Sequence, residues 1–476
     1  MIKLTYTHKE SSALVVLAQT ETSLNQLAGI ESSYLSNKIK KEENGIAFNY
    51  LNNNLVFAVY ANKSQKSESL KLQGLRVLGS QMISKLQGEE QETAQVIVDS
   101  AFSEAEAIAF LEGMVLGDYS FNNYKTKKSE KPKMNELFVQ AEALSQAKLD
   151  ELVHTSEGVF LARDLVNEPV ITLTAPEFSN RMVAAGNDAG FTTTVLDKGQ
   201  IEALKMGGLL GVNLGSDDPP TFNVMEYKPK NAVNEKPIVL VGKGVVYDTG
   251  GNNLKPGPYM LTMKSDMGGG AAVTGSIYAI AKNNLPLWVI ALVPATDNRI
   301  GHNALVADDV ITISDGTTVE VKNTDAEGRL ILADALVYAK KYNPELVIDM
   351  ATLTGAAEAI TSHFGIASMG TADDDKKQSL QNAGELVYER LAEMPYWPEY
   401  DDLLKSKIAD ISNLGGPKGG AITAGKFLET FTDYPWIHLD IAGPAYLDAK
   451  DNYRPAGGTG VGVRLMYAFA KSRVKK

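Results

Sequence analysis

Apolar positions along the chain follow two periods. Short β-branched runs at 237–246, 287–294, 346–353 and 436–441 have the length and content of buried strands. Between them, 270–281 and 330–342 carry apolar residues at helical spacing, as in Leu332, Ala333, Leu336, Val337 and Ala339. Strand and helix in alternation predict an α/β fold with a largely parallel, helix-covered sheet. Ligands of such sheets collect outside the carboxyl ends of the strands. The first third of the chain repeats the pattern on a smaller scale. Strands are expected at 13–17, 45–59 and 95–98, the second folded back at Asn52-Asn53-Asn54, and helices at 70–86 and 103–116. Ser103 and Glu106 have the spacing of a capping box. These elements predict a small N-terminal α/β domain over 1–145. It holds no cluster of catalytic residue types, which suits a role in assembly or regulation. A long helix over 141–166 ends before Asn167-Glu168-Pro169, so 146–169 is expected to connect to a second domain at 170–476.

One stretch of the second domain concentrates chemistry. Asn323-Thr324-Asp325-Ala326-Glu327-Gly328-Arg329-Leu330 lies between a strand-like run, 317–321, and the 330–342 helix. A turn can aim Asp325 and Glu327 at one point, whereas residues two apart on a helix diverge. Glu327 also falls at the helix start, where the macrodipole favours an anion. Lys243 and Asp248 fall at the end of the 237–246 strand, and Asp266 precedes Gly268-Gly269-Gly270 at the start of the next helix. Three strand ends are thus expected to deliver Asp248, Asp266, Asp325 and Glu327, with Lys243, Lys255 and Arg329, to one sheet edge. Four gathered carboxylates repel one another unless cations sit among them. Two divalent ions sharing a bridging carboxylate meet that need. Carboxylate oxygens point to hard ions, magnesium or manganese. The triple glycine could instead cradle a phosphate, but Asp266 would repel it and no Walker lysine–serine pair follows. Asp349, inside an apolar run, reads as a hydrogen-bonded structural acid, and His438 as a satisfied core histidine.

The net charge of −12 argues against nucleic acid as the main partner, which needs a basic face. The locally basic segment 122–133 reads as a solvated loop near a domain boundary. Absence of cysteine excludes disulfides, thiolate nucleophiles and cysteine zinc sites. His8, His154, His302, His363 and His438 stand singly, so a histidine-rich metal site is not expected. There is no secretory signal pattern, and no apolar run approaches the ~20 residues of a membrane span. A cytoplasmic protein with no membrane role is expected.

The stretch 323–330 matches in full the signature octapeptide of the leucyl aminopeptidase (cytosol aminopeptidase) family of two-metal metallopeptidases. The chain resembles that family also through 241–251, 254–257, 264–269, 351–355 and 438–443, and 162–169 is similar to the start of the family's catalytic domain. Residues 1–145 resemble it only loosely, mainly at 112–124. The resemblance implies that 170–476 is a catalytic metallopeptidase domain. The implied activity is release of N-terminal amino acids, leucine and similar residues preferred, from peptides with a free N-terminus, by a water activated by two metal ions. It implies metal ligation by Lys243 through a neutral amine, by Asp248 and Glu327 bridging both ions, by Asp266 with Lys243 at the tighter site, and by Asp325 at the more exchangeable one. Lys255 would stabilise the oxyanion and Arg329 would hold a bicarbonate acting as general base. Met263, Thr352 and Ala442 would line the pocket for the first side chain. The family's zinc, manganese or magnesium adds zinc to the ions expected from residue type. A homo-hexamer is implied by the resemblance alone. The alternative is a catalytically weak family member acting as a DNA-binding or structural protein. Tyr247, Asn252-Asn253 and Asp308 depart from the family's usual residues, and none of them removes a ligand.

Overall fold

The computed structural model describes residues 1–9, 11–18, 37, 45–51, 54–60, 67–127 and 134–474. The expected turn residues Asn52 and Asn53, and 128–133 of the basic segment, lie outside them. The chain divides into two compact units, and the division falls inside the long helix Gln146–Asn167, between Glu157 and Gly158.

The smaller unit spans Met1–Glu157 with Leu386–Tyr388 and Ala449–Ala456. Its sheet runs in the order Lys3–Tyr6, Glu136–Ala141, Thr93–Val98, Ala13–Ala18, Asn54–Tyr60, Gly45–Leu51. All neighbours are parallel except the last pair, the expected hairpin. The helix Glu104–Gly117 begins at Ser103, whose side chain accepts from the Glu106 N–H while the Glu106 carboxylate accepts from the Ser103 N–H. That is the expected capping box, and it satisfies two amides that a helix start otherwise leaves open. The expected helix over 141–166 starts later. Only Ala141 of its first residues is in a strand, Glu136–Ala141, and 142–145 turn the chain into the helix Gln146–Asn167; the strand's apolar run Leu137-Phe138-Val139 is too short to stand out in the sequence.

Among the described residues, nine strands form the main sheet of the larger unit. Four central strands, Trp436–Asp440, Leu346–Ala351, Ile238–Gly242 and Val289–Asn298, are parallel. Antiparallel neighbours, Ile366–Gly370 and Thr221–Tyr227, flank them. The central strands are buried along their length, which is why they read as continuous apolar runs. One face packs on the helix Gly328–Ala339, whose Leu330, Ile331, Leu332 and Leu336 join Val239, Val241, Ile290, Leu292 and Val347 in one core. Each such side chain contributes about 1.5–3 kcal/mol by leaving water.

Two expectations about delivery to the sheet edge are corrected. The single strand expected at 237–246 is two, Ile238–Gly242 and Gly244–Asp248, with Lys243 in the break. There the backbone turns aside: the Lys243 N–H donates to the Met350 carbonyl at 3.1 Å, and its own carbonyl accepts from the Gly270 N–H at 2.7 Å. The strand-like run 317–321 forms Thr318–Glu320, which lies outside the main sheet. It pairs with Val310–Thr312 and Ile411–Ser412 in a separate three-stranded sheet. Asp266, in turn, sits on a short 3-10 helix, Met263–Met267, that leads directly into the helix Gly268–Lys282. The triple glycine has a packing cause. A Cβ on Gly269 would lie 1.9 Å from the Met350 carbonyl oxygen, so the helix start rests directly on a strand end.

Candidate metal centre

Lys243 is 3% exposed, and its ammonium reaches Asp266 Oδ1 at 2.7 Å, Glu327 Oε1 at 3.0 Å and the Thr352 carbonyl at 2.9 Å. Lys255 spans the other two acids, Asp248 Oδ2 at 2.8 Å and Asp325 Oδ1 at 2.6 Å. Asp248, Asp325 and Glu327 each offer an oxygen within 4.8 Å of the others. The break, the end of the Gly244–Asp248 strand with the loop that follows it to Lys255, the 3-10 turn and the octapeptide turn thus bring all four carboxylates and both lysines together, although only Lys243 and Asp248 arrive from the main sheet.

The carboxylates are under-satisfied. Asp266 Oδ2 is buried and accepts no hydrogen bond, and the buried Asp325 Oδ1 and Glu327 Oε1 each face only a lysine ammonium, at 2.6 and 3.0 Å. Orphaned buried carboxylate oxygens are costly, and they are what a hard divalent cation takes as ligands. The titration behaviour agrees. Burial pushes Asp248 up to about 6, with Glu327 adding to it and the two lysines opposing. Burial also holds Asp266 well above the ordinary carboxylate range despite Lys243, and raises Asp325. Glu327 is lowered, because Lys243 and Lys255 outweigh its burial. Burial works against both ammonium groups, yet the facing acids keep each of them above the ordinary lysine range. Crowded acids and firmly charged lysines are the mark of a site short of positive charge. The residues fit a divalent metal.

A layer of amides and hydroxyls orients these acids. Asn298, at the end of the Val289–Asn298 strand, donates to Asp248 Oδ1 at 2.8 Å and to the Thr324 carbonyl at 3.0 Å. The Thr324 N–H donates to Asn253 Oδ1 and the Asn253 N–H to Thr324 Oγ1, both at 2.8 Å. Asn298 was missed in the sequence, where a polar residue closing a wholly buried strand is the one available signal. Asn253 was noticed only as a departure from the family pattern.

The other expected residues are placed as follows. Thr352 donates its hydroxyl to Asp266 Oδ1 at 2.9 Å. Met263 opens the 3-10 turn that carries Asp266, and Ala442 follows the Trp436–Asp440 strand, its N–H on Asp440 Oδ1 at 3.2 Å. Arg329 stands apart from the acids. It is 5% exposed, its Nη1 donates to the Asn413 carbonyl at 2.7 Å, and its Nε has no partner. Burial brings its guanidinium down to about 10. Asp349 is the structural acid expected, accepting from Trp436 Nε1 at 2.7 Å and pairing with His438 Nδ1 at 2.6 Å. His438 is only half satisfied, since its Nε2 makes no hydrogen bond.

Comparison with known proteins adds a family. A model described as the catalytic domain of the cytosol aminopeptidase family matches residues 160–467. A probable cytosol aminopeptidase of Chlorobium limicola is 45% identical over 378 residues, 76% of this chain and 74% of the relative. Another, of Chloroherpeton thalassium, is 44% identical, covering 87% of this chain and 82% of the relative. Among solved structures, a bottromycin maturation enzyme in complex with Mn superposes with a TM-score of 0.87 at 31% identity, covering 98% of this chain and 100% of that one. A mutant of tomato leucine aminopeptidase gives 0.86 at 27% identity over 99% of this chain and 96% of that one. No helix among the described residues is long and apolar enough to cross a membrane. The chain belongs to the cytosol aminopeptidase family, and is a hydrolase of the leucyl aminopeptidase type.

Proposed function

We propose that the chain releases N-terminal amino acids, leucine and similar residues preferred, from peptides with a free N-terminus. The observation that carries this is the convergence of Asp248, Asp325 and Glu327 within 4.8 Å of one another, beside a buried Asp266 oxygen that accepts no hydrogen bond. Lys243, Asp248, Asp266, Asp325 and Glu327 would hold two divalent ions, manganese or zinc, with magnesium also suited to the oxygen ligands. When bound, such ions lower the pKa of water and polarise a carbonyl. Lys243 can serve as a ligand only as a neutral amine, and an ion engaging Asp266 and Glu327 would withdraw the charges that now hold its proton.

The chain's own groups divide the remaining work. Lys255 keeps its proton under the field of Asp248 and Asp325 and is 15% exposed at the side chain, so it can donate to a developing oxyanion. Arg329 offers an unpartnered Nε in a buried setting, a donor suited to bicarbonate, which would supply the general base. Met263, Thr352 and Ala442 would shape the pocket for the first side chain. The family expectation of a homo-hexamer, with residues 1–145 serving assembly or regulation, is part of this proposal and is checked by light scattering.

The direct test is hydrolysis of a leucine anilide by dialysed protein with and without manganese. Activity should depend on the metal and fall to background in Glu327→Ala. An N-acetylated substrate should remain uncut. Metal-independent cleavage, or full activity in the variant, would overturn the proposal.

A further inference from the structure

Asn413 follows the short strand Ile411–Ser412 and is fully buried, at 0% exposure. Its hydrogen-bonding groups are turned towards the octapeptide. Oδ1 accepts from the Lys322 N–H at 2.8 Å and the Asn323 N–H at 3.4 Å. Nδ2 donates to the Asn323 carbonyl at 2.7 Å and the Ala326 carbonyl at 3.4 Å. Its own N–H donates to the Glu320 carbonyl at 3.0 Å, and its carbonyl accepts from Arg329 Nη1 at 2.7 Å.

This pattern answers a structural need. The 322–326 backbone is neither strand nor helix, so it has no ladder to hold it. Asn413 supplies both donor and acceptor from outside, and it is tied to the strand Thr318–Glu320 by parallel pairing of Ile411 with Val319 and Ser412 with Glu320. The same residue that fixes the turn before Glu327 also accepts a hydrogen bond from the Arg329 guanidinium through its carbonyl.

We propose that Asn413 is a positioning residue for the reaction. Its side-chain hydrogen bonds set the turn that presents Asp325 and Glu327, and in doing so hold its own carbonyl where Arg329 meets it. The inference rests on the roles proposed above for those three residues. Partners that orient metal ligands in this way are worth about 10–100-fold in metal affinity or activity.

The test uses the full chain. Asn413→Asp is nearly isosteric and removes both donations by the side chain. Manganese titrated into dialysed protein should bind about 10–100-fold more weakly. The anilide kcat should fall by a similar factor with KM little changed, and the unfolding midpoint of dialysed protein should fall as well, because the new carboxylate is buried against the Asn323 and Ala326 carbonyls. Asn413→Ser retains a shorter donor and acceptor, and should show the same losses in milder form if the aspartate variant does not fold. Parent-like manganese affinity and kcat in a folded variant would overturn the inference. Arg329→Ala, measured alongside, separates the two readings. If it is fully active, the role given to Arg329 is wrong, while a loss of manganese affinity in Asn413→Asp still supports the setting of the turn. If it is impaired, the double variant should lose less kcat than the product of the single losses, since both act through one unit. A full product would overturn the coupling to Arg329.

Discussion

A Cβ added to Gly328 would fall 2.4 Å from Lys243 Cε and 2.7 Å from its Nζ. Lysine chains usually swing clear of such a clash, but this one is walled in and held by Asp266, Glu327 and the Thr352 carbonyl. Gly328→Ala should therefore push the amine off its place while leaving the helix behind it intact. A displacement near 1 Å costs on the order of 100-fold in rate. The expected result is a well-folded protein, by circular dichroism, with about that loss in the anilide assay. Undiminished turnover would mean that Lys243 can be placed elsewhere without harm. At this scale the sequence was informative about groups that carry charge, since Asp248, Asp266, Asp325 and Glu327 announced themselves by their glycine-rich or turn settings. It was silent about Asn298 and Asn413. A single asparagine has no periodicity, and its importance comes wholly from partners far along the chain, such as Asp248 and Arg329.

Among the elements, the Gly328–Ala339 helix links the site to its scaffold. Its Asp334 is 0% exposed, and accepts the Leu209 N–H and the Ser314 N–H, each at 2.9 Å. It thereby joins this helix to the helix Gly207–Asn213 and to the segment leading into Thr318–Glu320. Burial pushes the Asp334 carboxyl up to about 7, against the pull of those backbone donors. An unfolded aspartate titrates near ~4. Between the two values the folded chain holds a proton that the unfolded chain has released, so stability falls as pH rises through this window and levels off above it. Asp334→Asn cannot titrate. The difference in unfolding temperature between parent and variant should shift in the variant's favour from pH ~4 to ~7, then stay constant. Parallel curves would exclude the effect. The sequence revealed most of these elements because buried parallel strands and amphipathic helices leave strong patterns. It did not reveal that Thr318–Glu320 leaves the main sheet, since its partner Ile411–Ser412 is two residues long and remote in the chain. Nor did it reveal the break at Lys243, because the apolar run continues on both sides of it.

For the molecule as a whole, the proposed ligands all lie in the larger of the two units, 158–385 with 389–448 and 457–476. A metal that binds the folded site but not the unfolded chain adds about 2.7 kcal/mol at a hundredfold excess over its dissociation constant. Calorimetry should therefore show a transition that moves up with manganese and back down with chelator. An unfolding profile indifferent to manganese would count against a metal site here. The octapeptide turn is anchored to a small sheet, Asp248 to the main sheet, and Asp266 to a helix start packed on a strand end. No one of these pieces holds a workable part of the catalyst. Chemistry therefore requires all of these supports to have met. Half-finished chains should be harmless to the peptides around them, and recovery of activity during refolding should lag behind recovery of helix and sheet.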